Sequence, residues 1–369
     1  MTVFGDTDGT LAAKARGRNQ TLTGEEVYGD AANLVDSARG GNDLITGSGA
    51  FNRLIGDSIR MLDSSRGGND SIFGGTGQNY QIFGDAEFMF DAAKGGNDIL
   101  VGGKSGSNFI VGDAGERMFG STSGGNDCLI GGELALNNVL IGDAYELGIL
   151  ARAGNDHLRA GDYAISNRLY GDADEASDFV VCGNDFLHGG TGAGHNFFVG
   201  DAYFMRREAA GGNDIIHGAS GAQLNACYGD AVEMEGAAKG GNDRIIAGDG
   251  SENELYGDAR IMSAGSHGGN DTIVSGTGSD RMWGDGELRD NIDAGGADIF
   301  VFRADSGNDI IYDFETDKDL IDLRALGIDS FSELDLSDDG VVSIIWLGAS
   351  ATLTLVNCSG LTEADFIFA

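Results

Sequence analysis

Aspartate recurs in this sequence at two fixed places. One is the end of a GGND unit, first at Gly40-Gly41-Asn42-Asp43 and again with Asp70, Asp98, Asp127, Asp156, Asp185, Asp214, Asp243 and Asp271, then in variant form at Asp298 and Asp309. The other is a Gly-Asp pair thirteen or fourteen residues earlier, at Asp30, Asp57, Asp85, Asp113, Asp143, Asp172, Asp201, Asp230, Asp258 and Asp285. Along the main run the copies stand 27 to 29 residues apart. A fixed period of this length predicts a solenoid whose repeats touch only their neighbours. Parallel coils stack at about 4.8 Å, so each position becomes a file of carboxylates. Unit charges at that spacing repel by about 0.9 kcal/mol in water and about 3.5 kcal/mol at an effective dielectric of 20. The carboxylates must be protonated, capped by backbone donors or bridged by cations. An all-oxygen motif with turn glycines and neither His nor Cys selects a hard cation at neutral pH, namely calcium.

The two files are not equivalent at this level. The GGND aspartates are the expected calcium edge. The Gly-Asp aspartates admit two readings, a helix or turn cap or a second calcium row. A further column, Asn52, Asn108, Asn138, Asn167, Asn196, Asn225 and Asn253, is neutral and predicts an amide hydrogen-bond ladder that needs no metal.

Three short segments per repeat must position these groups. After GGND, alternation puts Asp43 and Ile45 on one face and Leu44 and Thr46 on the other, which is strand logic. A glycine-rich turn leads to a second strand, Asn52-Arg53-Leu54-Ile55, and then to GDSIRM and a polar return. Three apolar columns follow, headed by Ile45, Leu54 and Leu34, and stacking them predicts one continuous core. Burying each such side chain contributes roughly 1.5–3 kcal/mol. The column before each Gly-Asp, from Tyr28 through Phe83, Tyr170 and Tyr256 to Trp283, is expected to lie under the third segment, the alternative being an exposed aromatic stripe. The third segment is open. GDAEFMFDAAKGG resembles a short helix with an Asp cap and a Gly stop, yet a period near three nonapeptides also suits a third extended leg.

After about residue 295 the spacing breaks down. Residues 336–357 read as a hairpin around a Gly-Ala-Ser turn, a candidate cap for the last open coil. The division expected is a solenoid over 1–294 and a capping region over 295–369.

The chain carries 23 basic and 59 acidic residues, for a formal charge of −36. Such a field opposes nucleic acid and anionic membranes. No stretch is long and apolar enough for a transmembrane segment, and MTVFGDTDGT lacks the regions of a signal peptide. Four cysteines lie far apart, with no CxxC pair. Cys227 reads as a small core residue rather than half of a disulfide.

With GGND recurring in register over nearly the whole chain, the sequence resembles the RTX (repeats-in-toxin) calcium-binding proteins, whose nonapeptide is GGxGxDxUx. The resemblance implies an all-β, right-handed parallel β-roll or β-helix, here of about ten to eleven coils with a C-terminal β cap. It also implies folding on Ca2+ binding and export by the type I secretion machinery. GADIFVFRADSGNDIIYDF and the terminal DFIFA resemble the cap and secretion region of such proteins, serralysin-type proteases included. Two departures stand out: about twenty-eight residues per coil in place of the family's eighteen, and Asn where the family's second turn has Asp.

No nucleophile elbow, HExxH helix or Walker loop is present. Turns lengthen in the middle repeats, where His188 and His217 fall in one column with Arg159 a coil earlier, and His195 lies near in sequence. These are ordinary surface residues or a shallow site for a metal, a glycan or catalysis. The expectation is an extracellular calcium-loaded solenoid, structural or adhesive, with a cell-surface polysaccharide or glycan as a possible partner. The alternatives are an enzyme acting on a polysaccharide or small molecule through residues 145–220, or the secretion and folding module of a larger enzyme. Met1 at the start of a near-repeat speaks against the last.

Overall fold

The computed structural model describes residues 2–77, 79–288, 295–348 and 351–369. The chain is all-β, a solenoid of about 10 turns. Each coil contributes three strands, as in Ala144–Leu147, His157–Arg159 and Ser166–Tyr170. We call the strand after GGND the first leg, the strand before Gly-Asp the second, and the strand after it the third. Stacked, they form parallel sheets of 13, 15 and 11 strands respectively, with an antiparallel end to the second-leg sheet.

The third leg is a strand and not a helix, so the helical reading of GDAEFMFDAAKGG is overturned: Ala86–Asp91 pairs with Ser58–Met61 and Ala114–Gly120. Its misleading feature is the spacing of three between Ala86 and Met89, both fully buried. Pairing skips a residue after each alanine, running Ala31 to Ser58 and then Asn33 to Arg60. The resulting kink, bulge-like in effect, turns residues three apart to the same side.

The apolar columns are buried as expected but fill two cores, not one. First-leg and second-leg residues (Ile45, Leu54, Ile72, Ile82 and their equivalents) share one cluster that runs on into the C-terminal region. Leu34, Met61, Met89, Met118 and the third-leg alanines form another. Between the two runs a waist, where the Gly-Asp corner and the GGND corner of each coil meet. A third cluster lies in the outer angle of the second and third legs. There Tyr28, Phe83, Tyr170 and Tyr256 are covered by third-leg side chains such as Ile59, Tyr203 and Val232, so no open aromatic stripe exists along this column. At its far end Tyr256, Trp283 and Tyr312 stack with centroids 4.3 and 4.4 Å apart.

The C-terminal region continues two of the sheets. Thr352–Val356 adds in parallel to Asn308–Ile311 and carries Val342–Trp346 and Asp335–Asp338 as an antiparallel edge. Two residues of the expected Gly-Ala-Ser turn, 349 and 350, lie outside the described residues, as do 289–294. Phe366–Ile367 closes the first-leg sheet against Leu320–Asp322. All four cysteines are free thiols.

Candidate metal centre

Glycine builds the waist, and for space rather than for backbone angle. A Cβ on Gly84 would overlap the carbonyl oxygen of Gly112 and Oδ2 of Asp98; one on Gly95 would overlap the carboxylates of Asp113 and Asp85; one on Gly96 would overlap the carbonyl of Gly68. The same three conflicts recur from coil to coil. They account for the glycines of Gly-Asp and GGND, which from Gly40 on are kept at every coil except at the first GGND position of two adjacent coils, where Ala153 and Cys182 stand.

Both aspartate files point into this waist. The GGND carboxylates are buried, and from Asp70 to Asp298 each Oδ1 accepts the backbone N–H of the equivalent aspartate one coil earlier, while Asp43 accepts that of Gln20. Asp127 N–H donates to Asp156, Asp156 to Asp185 and Asp185 to Asp214, each at 2.6 Å. The other oxygen has nothing: Oδ2 of Asp43, Asp70, Asp98, Asp127, Asp156, Asp185, Asp214, Asp243, Asp271 and Asp298 is buried without a hydrogen-bond partner.

The Gly-Asp carboxylates cap a turn, but across the waist. Each accepts from the second glycine of the following GGND, as Asp57 does from Gly68 at 2.9 Å and Asp201 from Gly212 at 2.9 Å. They also face the GGND file. Asp143, Asp156 and Asp172 each bring a carboxylate oxygen within 4.8 Å of the other two. Capping and metal binding are thus not exclusive for Asp30, Asp57, Asp85, Asp113, Asp143, Asp172, Asp201, Asp230, Asp258 and Asp285, and the two expected rows occupy one waist.

Burial is the dominant influence on these acids, and it raises them. Asp30, Asp143 and Asp230 are pushed up to about 6 and Asp43 to about 7. Desolvation, with neighbouring carboxylates behind it, drives Asp156, Asp214 and Asp243 well above the ordinary range. A buried carboxylate with one oxygen unsatisfied is costly. Glycine carbonyls of both corners lie beside it, and among the described residues those of Gly56, Gly84 and Gly68 accept no hydrogen bond. Carboxylate and carbonyl oxygens in a close-set row are the donor set of a hard divalent cation, and calcium fits it.

Placement at the end of the array departs from the spacing argument. Asp309 is not in the GGND file. It sits in the second leg, where its Oδ1 accepts from Asp280 N–H at 2.9 Å. The file continues instead to Asp319, which accepts from Asp298 N–H at 3.0 Å. Asp313 extends the Gly-Asp side by accepting from the N–H groups of Gly284, Asp285 and Gly286. The signal for Asp319 was present, since Asp319-Leu320-Ile321 repeats Asp43-Leu44-Ile45.

The asparagine column forms the expected ladder from Asn108 onward, but Asn52 stays outside it, since it aligns with Tyr80 and its amide donates to Gly49 of its own turn. Asn108, Asn138, Asn167, Asn196 and Asn225 each donate Nδ2 to the next Oδ1 at 2.7–2.9 Å, and Asn253 ends it on Asp280 at 2.6 Å. A second ladder was not foreseen: each GGND asparagine accepts, through its Oδ1, the backbone N–H of the residue in its place one coil on, as Asn97 does from Asn126 at 2.8 Å and Asn270 from Ala297 at 2.7 Å.

The middle-coil residues separate into two places. Arg159, His188 and His217 share one first-leg column, with the two imidazole centroids 5.9 Å apart. Phe186 packs edge-on to His217 and His157 at 5.1 and 4.9 Å. Desolvation, with the neighbouring His188 behind it, lowers His157 and His217. His195 lies in the second-leg sheet, aligned with Ser166 and Leu224, and does not join it. Arg159 faces Asp162 at 3.5 Å.

Comparison with protein-family models and with curated proteins finds no match to this chain.

Proposed function

We propose that this is a calcium-loaded structural solenoid of the RTX kind, whose waist closes around a row of Ca2+ ions. One observation carries the reading: a file of buried Oδ2 atoms, from Asp43 to Asp298, without partners and facing a second file of buried carboxylates. Holding so many acids protonated at neutral pH would cost folding free energy at every coil, and the backbone donors are already used on Oδ1. Divalent ions shared between GGND and Gly-Asp aspartates neutralise both files at once. With each site's dissociation constant a tenth of the ambient calcium, each ion contributes about 1.4 kcal/mol. A handful of sites then equals the stability of an ordinary domain.

The chain would be unfolded at low calcium inside the cell and ordered outside it, which suits passage through a type I secretion channel. Its role there is structural or adhesive, with surface glycans as the partner class. No helix among the described residues is long and apolar enough to cross a membrane. Far-ultraviolet circular dichroism in EDTA and in millimolar calcium tests the reading at neutral pH. A strand spectrum that appears only with calcium supports it, and two identical folded spectra refute it.

A further inference from the structure

Two adjacent coils lack the first glycine of GGND; Ala153 adds only a methyl, whereas the residue in the next coil changes the chemistry of the waist. Where other repeats place the first glycine of GGND, as at Gly95, Gly124 and Gly211, this coil has Cys182. A Cβ at those glycines would run into Gly-Asp carboxylates, so a side chain at position 182 must sit among them. Cys182 is buried, and its N–H still holds the return ladder by donating to the Ala210 carbonyl at 2.9 Å. Its sulfur and carboxylate oxygens of Asp172 and Asp201 all lie within 4.8 Å of one another.

Both acids are fully buried. Asp172 takes the Gly183 N–H on its two oxygens at 3.1 and 3.0 Å. Asp201 takes the Gly212 N–H on Oδ1, and its Oδ2 has no partner. A thiol has one weak proton to give. It can serve one carboxylate, and it leaves the orphan oxygen of Asp201 or the charge of Asp172 uncompensated. One sulfur and two carboxylates around a shared point form the beginning of a metal site of a different kind from its neighbours.

We infer that Cys182, Asp172 and Asp201 bind a single thiophilic divalent ion, of the zinc and cadmium class, within the row of all-oxygen sites. Thiolate is a ligand for zinc and softer ions and not for calcium. Binding replaces the thiol proton, which leaves to solvent, and sets a divalent charge against one thiolate and two carboxylates. The inference goes beyond the calcium reading and does not depend on it, because the cluster exists in this coil whatever the others hold.

The test uses the full chain with Cys128, Cys227 and Cys358 changed to serine, refolded in calcium with and without Cd2+. A thiolate-to-cadmium charge-transfer band saturating at one ion per chain is expected, and it persists in excess calcium. Cys182→Gly, which restores the residue found in most of the other repeats, abolishes the band while leaving the calcium-induced dichroism in place. Asp201→Asn weakens Cd2+ binding by at least about tenfold. Absence of the band in the parent, its survival in Cys182→Gly, or its displacement by calcium would each overturn the assignment. The dichroism reports separately on the calcium row, so the two readings fail independently.

Discussion

The backbone N–H of Asp70 donates to Oδ1 of Asp98 at 2.6 Å, one coil away, while Oδ2 of the same carboxylate is buried with no partner. The bond and the vacancy recur together down the file, and they divide the work of holding the coils. Oδ1 fixes the register of one GGND corner on the next. Oδ2 creates a demand for positive charge or a proton that no side chain meets, since the described ion pairs of Arg and Lys involve other acids. The waist is therefore a switch in the thermodynamic sense. Its neutral or metal-bound state is compatible with the fold, and its bare charged state is not.

Without metal, stability should fall as pH rises. Aspartate in an unfolded chain titrates near 3.9, whereas in the fold Asp30, Asp143 and Asp230 are raised to about 6, Asp43 to about 7 and Asp298 to about 10. The folded state binds more protons between those limits, so the sign of the linkage is negative. The stabilisation is complete below about pH 4 and drains away through pH 6 to 7 and above. Thermal melts in metal-stripped buffer at pH 4.5 and 7.5 check this, with the higher midpoint expected at the lower pH. A flat or rising profile would count against buried acids as the controlling groups.

Replacing one waist aspartate should move metal-free and calcium-bound stability in opposite directions. Oδ2 of Asp156 and the carbonyl of Gly171 both crowd the α-carbon of Gly142. In Asp156→Asn the amide can donate toward that carbonyl while Oδ1 keeps the Asp127 N–H. The chelated protein should gain about 1 kcal/mol. The calcium increment should shrink by about 1–2 kcal/mol through loss of a ligand. Urea unfolding in neutral calcium buffer and in metal-free buffer at pH 4.5, where the fold does not depend on calcium, reads both numbers. A loss of similar size in both conditions would indicate a packing residue only.

The sequence revealed the parts of this architecture that depend on register and concealed those that depend on corner angles. Strand alternation at a constant period places Ile45 over Ile72 and His188 over His217 whatever path the chain takes between them. The Asn108–Asn138 ladder follows from the same logic. The meeting of Asp143 with Asp156 does not, because it depends on how sharply the Gly-Asp and GGND corners fold inward. That information lies in contacts of Gly142 and its equivalents with the adjoining coil. The third leg misled for a local reason, since a strand with a skipped residue has nearly the periodicity of a helix. Asp309 misled because Gly-Asn-Asp also occurs in a second-leg strand of the end region.

Steric closure of the waist gives a test that bypasses charge. In Gly84→Ala the added methyl would overlap the Gly112 carbonyl and Oδ2 of Asp98, both on the neighbouring coil's side of the corner. Relief requires the coils to part, so a loss of at least about 3 kcal/mol is expected, and calcium should not restore it. Gly9→Ala, where the nearest neighbour of an added methyl is Thr7 Oγ1 at 3.5 Å, is the control and should stay within about 0.5 kcal/mol of the parent. Equal melting of the two variants would mean that the corners are looser than their contacts imply.

The asparagine ladder should hold the coils without any metal. Asn138 accepts from Gly132 N–H at 2.9 Å, and its amide donates to the Gly132 carbonyl at 3.0 Å and to Asn167 at 2.8 Å. It also receives Asn108 at 2.7 Å, all in a fully buried setting. Asn138→Ala strips four bonds and strands the facing amide of Asn108, which should lose about 2–4 kcal/mol. Because none of its partners belongs to the waist, the loss should be the same in acid metal-free buffer as in neutral calcium. Measured in both, a loss confined to the calcium condition would mean that the ladder and the ion row are one cooperative unit instead of two independent fastenings on opposite sides of the first leg.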